Sequence, residues 1–217
     1  MPRLVAPGYP HHVTQRGNRR MKTFFCDEDY RAYLELLTQA KAEAQVAVWA
    51  YCLMPNHVHL VVVPEEKDSL SRLFRFVHHH YSRRINFREN WKGHLWQERF
   101  HSFVMDERYL MATVRYVELN PVRARLCPRP QDWPWSSARA HFVGADDAAV
   151  AVQPMLDRVD DWRSYLSKGA SEEDVADIRR FSSTGRPAGD ASFIERLEGL
   201  SGRHLKRRKP GPKSVVK

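Results

Sequence analysis

Met54-Pro55-Asn56-His57-Val58-His59-Leu60-Val61-Val62-Val63 decides how the chain is read. A Pro-Asn turn leads into a β-branched apolar run too short for a helix, which predicts a buried strand. Side chains alternate along a strand, so His57 and His59 share one face while Val58 takes the other. Two imidazoles about 7 Å apart on that face can converge on one metal ion, each at roughly 2.1 Å. An isolated H-x-H in a strand is more often a packed or surface pair than a ligand pair. Its meaning depends on what the rest of the chain brings to it.

Working outward, Pro10 to Gln15 reads as a first strand that ends at Arg16-Gly17-Asn18-Arg19-Arg20, a glycine turn beside three arginines suited to phosphate contact. Pro10 lacks a ladder donor and marks the strand's start. Asp27 is placed to cap a helix with Tyr30, Tyr33, Leu34, Leu37 and Ala44 at helical spacing. Val46 to Leu53 is a second strand, and the histidine strand follows. Asp68 or Ser69 then opens a long helix whose buried stripe is Leu70, Leu73, Phe74, Val77, Tyr81 and Ile85. Its outer face carries Arg72, Arg75, His79 and Arg83. Adjacent helical residues point about 100° apart, so His78, His79 and His80 cannot share an ion; all three read as solvated face and groove contacts. Leu95 to Met105 is strand material, with Gln97, Arg99 and His101 among Trp96, Phe100 and Phe103. Asp106 caps a helix that reaches Asn120, where Pro121 helps to stop it.

Strand, helix, strand, strand, helix, strand predicts an α+β fold: a ferredoxin-like split βαβ antiparallel sheet with helices on one face. Trp133, Trp135 and Phe142 are expected to pack the segment after Pro128 onto this core. We place a boundary at residue 143, with residues 1–143 forming the main domain and 144–217 a linker, short helices and a basic tail. Helices are expected near 160–167 and 172–181, and a last one from the Asp190 cap to Gly202. The tail, with Arg207 and Arg208, is expected to order only on phosphate.

The 217 residues include 42% hydrophobic and 11% aromatic residues, enough for a real core. A net charge of +9 points to an anionic partner, nucleic acid being the commonest, although a merely soluble basic protein has the same balance. Cys26, Cys52 and Cys127 lie far apart, which disfavours a thiolate zinc site or a disulfide framework and fits a reducing cytoplasm. The N-terminus lacks a signal-peptide apolar region, and no run approaches 18 apolar residues, so no membrane partner is expected.

Tyr116 and Asn120 sit four residues apart and so share a helix face. If that face meets His57 and His59, Asn120 can supply a carboxamide oxygen as third ligand, with the Tyr116 hydroxyl beside it. Imidazole and amide oxygen suit Mg2+ or Mn2+, and the open positions suit phosphodiester oxygens. A phenol ionises near pH 10, so it needs activation before it can attack phosphorus; the sequence does not say which base serves. Tyr116 is also an ordinary buried aromatic of an amphipathic helix, and Tyr109, two turns earlier, is a rival nucleophile.

His57-Val58-His59 within M-P-N-H-V-H-L-V-V resembles the HUH motif of single-tyrosine transposases. Tyr116 to Ala124 (Y-V-E-L-N-P-V-R-A) is similar to that family's segment bearing the nucleophilic tyrosine and, four residues on, the third ligand. His12 to Asn18, Gly93 to Phe100 and Trp135-Ser136-Ser137 add matches in the same order and point to the REP-associated tyrosine transposase branch. The resemblance implies Tyr116 as nucleophile, His57, His59 and Asn120 as ligands of Mg2+ or Mn2+, and cleavage and joining of single-stranded, stem-loop DNA at repetitive extragenic palindromes through a 5′-phosphotyrosine. It also implies that the loop carrying Arg16, Asn18, Arg19 and Arg20 helps to read a short guide sequence. Nucleoid association follows from such a partner. A non-catalytic hairpin-binding regulator on the same fold is the alternative, and monomer and dimer both stay open.

Overall fold

The computed structural model describes residues 3–206. Four strands, β1 (His11–Arg16), β2 (Val46–Met54), β3 (His57–Pro64) and β4 (His101–Val104), form one antiparallel sheet in the order β2-β3-β1-β4. Between β1 and β2 runs α1 (Asp27–Glu43), and between β3 and β4 runs α2 (Ser69–Arg88). This is the expected ferredoxin-like layout. Every apolar residue assigned to the α2 stripe is buried, and α1 inserts Tyr30, Tyr33 and Leu37 into the same layer against Val13, Val58, Leu60 and Val62. Three acidic residues in the first turn of α1 suit the positive end of its dipole.

Asp27 does not cap that helix. Cys26 holds the cap position without a side-chain bond, and Asp29, inside the first turn, accepts from the Phe25 N–H. Arg88, at the end of α2, donates to both Asp29 oxygens and so ties the two helices together. His78 lines the groove beside α2 as expected but does not lie on the solvated outer face. It turns inward between Phe74, Tyr33 and Trp96, its ring nitrogen 3.1 Å from the Tyr33 hydroxyl, while His79 and His80 are exposed.

α1 and α2 cover one face. The opposite face, where no helix is expected, is covered too, by α3 (Glu107–Glu118), which packs on Ala50, Cys52, Val61, Phe103 and Met105 because those residues make that face apolar as well. Asp106 caps α3 by accepting from the Tyr109 N–H, as expected. The helix does not stop at Pro121: after Leu119 a further turn, α4 (Asn120–Arg123), begins with that proline in its first positions, where a missing N–H costs nothing. The predicted long fourth strand is shorter than expected. Only His101–Val104 pairs with β1, and residues 95–100 form a loop held by a Gly17–Trp96 bridge and by the Gln97 N–H on the Arg16 carbonyl.

Both sheet edges are covered, which removes the pairing hazard of free strands. Along β2, the Leu53 N–H donates to the Trp135 carbonyl and the Ser137 N–H to the Tyr51 carbonyl, while Trp135 stacks on Tyr30. α5 (Ala138–Val143) follows. The segment expected as a linker is core instead: Ala149, Val150 and Val152 are buried beside Val48, and Lys41 holds the Ala148 and Ala149 carbonyls. Its small residues are there to fit a crowded edge. Then come α6 (Gln153–Leu156), α7 (Trp162–Ser167), α8 (Glu172–Thr184) and α9 (Ala191–Ser201). Ala188, between the last two, exchanges backbone bonds with Val104 and Asp106 along β4. α9 is capped by Asp190 and ends at a left-handed Gly202. Among the described residues no helix is long and apolar enough to cross a membrane.

Candidate active site

Strand alternation places His57, His59 and Val61 on the α3 face of β3, and the register sets Thr14 opposite His59 and Arg16 opposite His57. The two imidazole centroids are 4.8 Å apart. Tyr116, the last inward aromatic of α3, stands edge-on to His59 at 5.6 Å between centroids. His57, His59, Tyr116 and Asn120 all line one cleft of about 740 Å³. Tyr116 and Asn120 keep their four-residue spacing across the α3–α4 junction, so the break at Leu119 leaves them on one side.

His12 is the unforeseen member. It lies on the same sheet face, diagonal to His59 across the β1–β3 ladder, with its Nε2 2.9 Å from His59 Nδ1 and the rings stacked at 1°. His12 Nδ1 faces the Ser182 hydroxyl of α8 at 3.4 Å. His59 is thereby engaged through Nδ1, and its Nε2 is buried without a partner. The Asn120 Nδ2 is buried and unpartnered too. His57 Nδ1 is 2.6 Å from the Asn56 side-chain oxygen. Burial first, and then the neighbouring cations and rings, holds all three histidines well below their ordinary range, His57 at about 4 and His12 at about 3. The rings are therefore neutral at pH 7, the form that offers a lone pair to a metal.

Among the described residues no three His, Cys, Asp or Glu side chains are placed to hold an ion. A metal in this cleft would rest on the two imidazoles and the Asn120 carboxamide. The orphaned His59 nitrogen and the neutral rings fit Mg2+ or Mn2+, and among the described residues lining the cleft there is no cysteine. Arg123, one turn past Asn120, places its guanidinium carbon 5.0 Å from the Tyr116 ring centroid. Seven residues after Tyr116, it falls on the same helical face, a spacing the sequence displayed.

Tyr109 points elsewhere. Its hydroxyl donates to Asp177 of α8 and its ring meets Phe181.

Arg16, Arg20, Gln97 and Arg99 line the cleft with the histidines, and α8 adds Arg179, Ser182 and Ser183, none of which the sequence suggested. Gly17 allows the turn that aims Arg16 and Arg20: a Cβ there would lie 2.3 Å from the Met21 carbonyl oxygen. Asn18 instead donates its N–H to the Leu95 carbonyl in the loop before β4, and Arg19 is exposed with a left-handed backbone. Arg75, His79 and Arg83 line a second cleft of about 850 Å³, continuous with the first through Gln97 and Arg99. Arg72 does not reach either. It is spent on Glu66, Asp68 and the Gln45 side chain. Arg207 and Arg208 lie outside the described residues.

The chain is 27% identical over 99 residues to a REP-associated tyrosine transposase of Haemophilus influenzae, a match that covers 41% of this chain and only 56% of that relative. A solved REP-associated tyrosine transposase bound to a REP hairpin shares the fold, with a TM-score of 0.57 and 21% identity over 70% of this chain and 90% of that one. A transposase structure from Deinococcus radiodurans gives a TM-score of 0.40 at 18% identity, over 54% of this chain and 95% of the other. Residues 7–120, from the start of β1 to Asn120, match the family described as IS200-like transposase over more than half the chain, and the protein belongs to that family.

Proposed function

We propose that the protein nicks and rejoins single-stranded DNA at stem-loop sequences, with Tyr116 as nucleophile and a divalent metal held by His57, His59 and Asn120. The convergence of these four side chains in one arginine-walled cleft carries the reading. Mg2+ or Mn2+, when bound, would polarise the scissile phosphate and offset charge in the transition state. The Tyr116 hydroxyl oxygen forms a bond to phosphorus while the bond to the departing 3′ oxygen breaks. The proton lost from the phenol is matched by the one that the released 3′-hydroxyl gains. One phosphodiester replaces another, so the step reverses when a new 3′-hydroxyl attacks. Arg123, over the Tyr116 ring, holds the phenol in orientation by cation–π attraction. His12 fixes His59: if His59 binds through Nε2, its proton sits on Nδ1 and is donated to His12 Nε2, and His12 then turns its own Nδ1–H toward Ser182.

The REP-associated relatives support a palindromic hairpin as substrate. The test is a covalent adduct on labelled hairpin DNA with Mn2+. Tyr116→Phe should abolish the adduct and leave hairpin binding intact, and EDTA should block it in the wild type. An undiminished adduct from that variant removes Tyr116 from its role. Binding by the wild type without any nick would identify a hairpin-binding regulator instead.

A further inference from the structure

Beside the candidate active site lies a smaller pocket of about 400 Å³ with no role in the chemistry above. Four arginines reach it from four separate places: Arg3 before β1, Arg99 in the loop before β4, Arg186 between α8 and α9, and Arg203 after α9. Three of them are half-buried and braced. The Arg3 guanidinium sits 3.8 Å from the Phe100 centroid, Arg203 donates to the Arg3 carbonyl, and Arg186 donates to the Leu205 carbonyl. Among the described residues no carboxylate lies within ion-pair distance of Arg3, Arg99 or Arg186; Glu98, the one acidic residue lining the pocket, faces His101 at 3.9 Å. Holding Arg3, Arg99 and Arg186 together with no carboxylate in ion-pair contact costs free energy unless an anion joins them. Arg99 already depresses Arg3, after the effect of burial itself.

We propose that this pocket binds the phosphodiester backbone of the single strand flanking the hairpin, carrying it away from the cleft that holds Tyr116. The inference rests on the DNA reading above for the identity of the anion. Three observations select a continuous strand over a lone phosphate. The pocket and the cleft share Glu98, Arg99, His101 and Ser183 as a common wall, three of the four able to donate to phosphate, so an extended polyanion can run through both on the Arg99 side. Leu205 lines the pocket, and the chain beyond it reads Lys206-Arg207-Arg208-Lys209, which extends the positive charge in sequence. Guanidinium forks aimed from several directions suit successive phosphates and read no base, as a flank of any sequence requires.

The experiment compares full-length wild type with the Arg3→Glu/Arg186→Glu double variant by fluorescence anisotropy. One probe is a hairpin without a flank; the other is the same hairpin with a single-stranded flank of about eight nucleotides. Wild type should bind the flanked probe more tightly. The double variant should lose that advantage by tenfold or more, keep its affinity for the bare hairpin, and show a salt slope on the flanked probe smaller by about 1.4, as two lost single-strand contacts imply. Arg3→Lys/Arg186→Lys should keep most of the slope. Thermal melting accompanies each variant, and Arg186→Ala alone should show a smaller loss of the same kind if Arg3 proves necessary for folding. Equal losses on both probes, or no loss on either, would overturn the proposal. So would inorganic phosphate that competes as well as the flank, since the pocket would then be a free-anion site. A wild type that shows the flank preference but forms no Tyr116 adduct would defeat the enzymatic reading and leave this one standing.

Discussion

His12→Phe should weaken Mn2+ binding 10- to 100-fold while the protein stays folded. The two nitrogens of His59 differ in their surroundings. Nδ1 is engaged at 2.9 Å by His12, and Nε2 is buried and free, so only Nε2 can meet an ion. Phenylalanine fills nearly the volume of the His12 ring, which packs edge-on against Phe103 and Tyr116, but offers no acceptor. His59 Nδ1 is then buried without a partner at a cost of about 1–3 kcal/mol, and the ring is free to take the wrong tautomer. Loss of such an orienting partner typically reduces metal affinity by one or two powers of ten, or about 1.4–2.8 kcal/mol. His12→Gln, whose amide oxygen can accept from Nδ1–H, should recover part of the loss. The assay is Mn2+ titration by calorimetry or by the solution Mn2+ resonance signal, with hairpin binding in EDTA as the control for fold. If His12→Phe binds Mn2+ as tightly as the wild type, or if the Phe and Gln variants behave alike, His12 does not orient His59.

Glu118 is wholly buried and accepts from Ser137, His141 and the Trp162 indole, so it locks α3, α5 and α7 together. Glu118→Ala orphans three donors and should lower unfolding free energy by about 3–6 kcal/mol in denaturant melts; a loss under 1 kcal/mol would mean water had replaced the carboxylate. Burial opposes the Asp29 charge, but Arg88 and the Phe25 N–H outweigh it and leave the carboxyl below its ordinary value. A depressed carboxyl contributes stability above its unfolded pKa and loses it as pH falls through the folded one. Asp29→Asn should therefore cost about 2 kcal/mol at pH 7, with the gap to the wild type closing below about pH 4; a gap independent of pH would refute the pairing. Tyr109→Phe should retain full adduct formation, losing only the bond to Asp177. An adduct lost in that variant would restore Tyr109 as the rival nucleophile.

What the sequence made legible was whatever one element decides by itself. The α2 stripe, the alternation of β3 and the spacing of Tyr116 and Asn120 each follow from a single local period, and each stands in the structure. What escaped depends on pairing between elements. His12 looks like any strand residue until the β1–β3 register sets it diagonal to His59. Residues 95–100 have strand composition, but the β1–β4 ladder stops at Thr14–His101 although β1 runs on to Arg16, and the chain meets β1 again only through the out-of-register Gly17–Trp96 bridge, so they form a loop that walls both clefts. His78 lies four residues after Phe74 and three before Tyr81, at the margin of the buried stripe, and Tyr33 and Trp96, from other parts of the chain, decide that it turns inward.

The same logic explains why α8 belongs to the site rather than to an appendage. With α1 and α2 on one face of a four-stranded sheet, the face bearing His12, His57 and His59 would be open to water but for α3, which is only twelve residues long. α3 lies mainly over β2 and β3, touching β1 and β4 only through contacts such as Tyr116 on His12; the rest of β1 and β4 is covered by α8, whose Phe181 meets Phe103 and whose Ser182 meets His12. That burial keeps the three imidazoles neutral and limits His59 to one unengaged lone pair, on Nε2. A histidine pair built to bind a cation needs such a dry wall behind it, and in this chain the wall comes from residues past 144, the part whose composition gave the least reason to expect it.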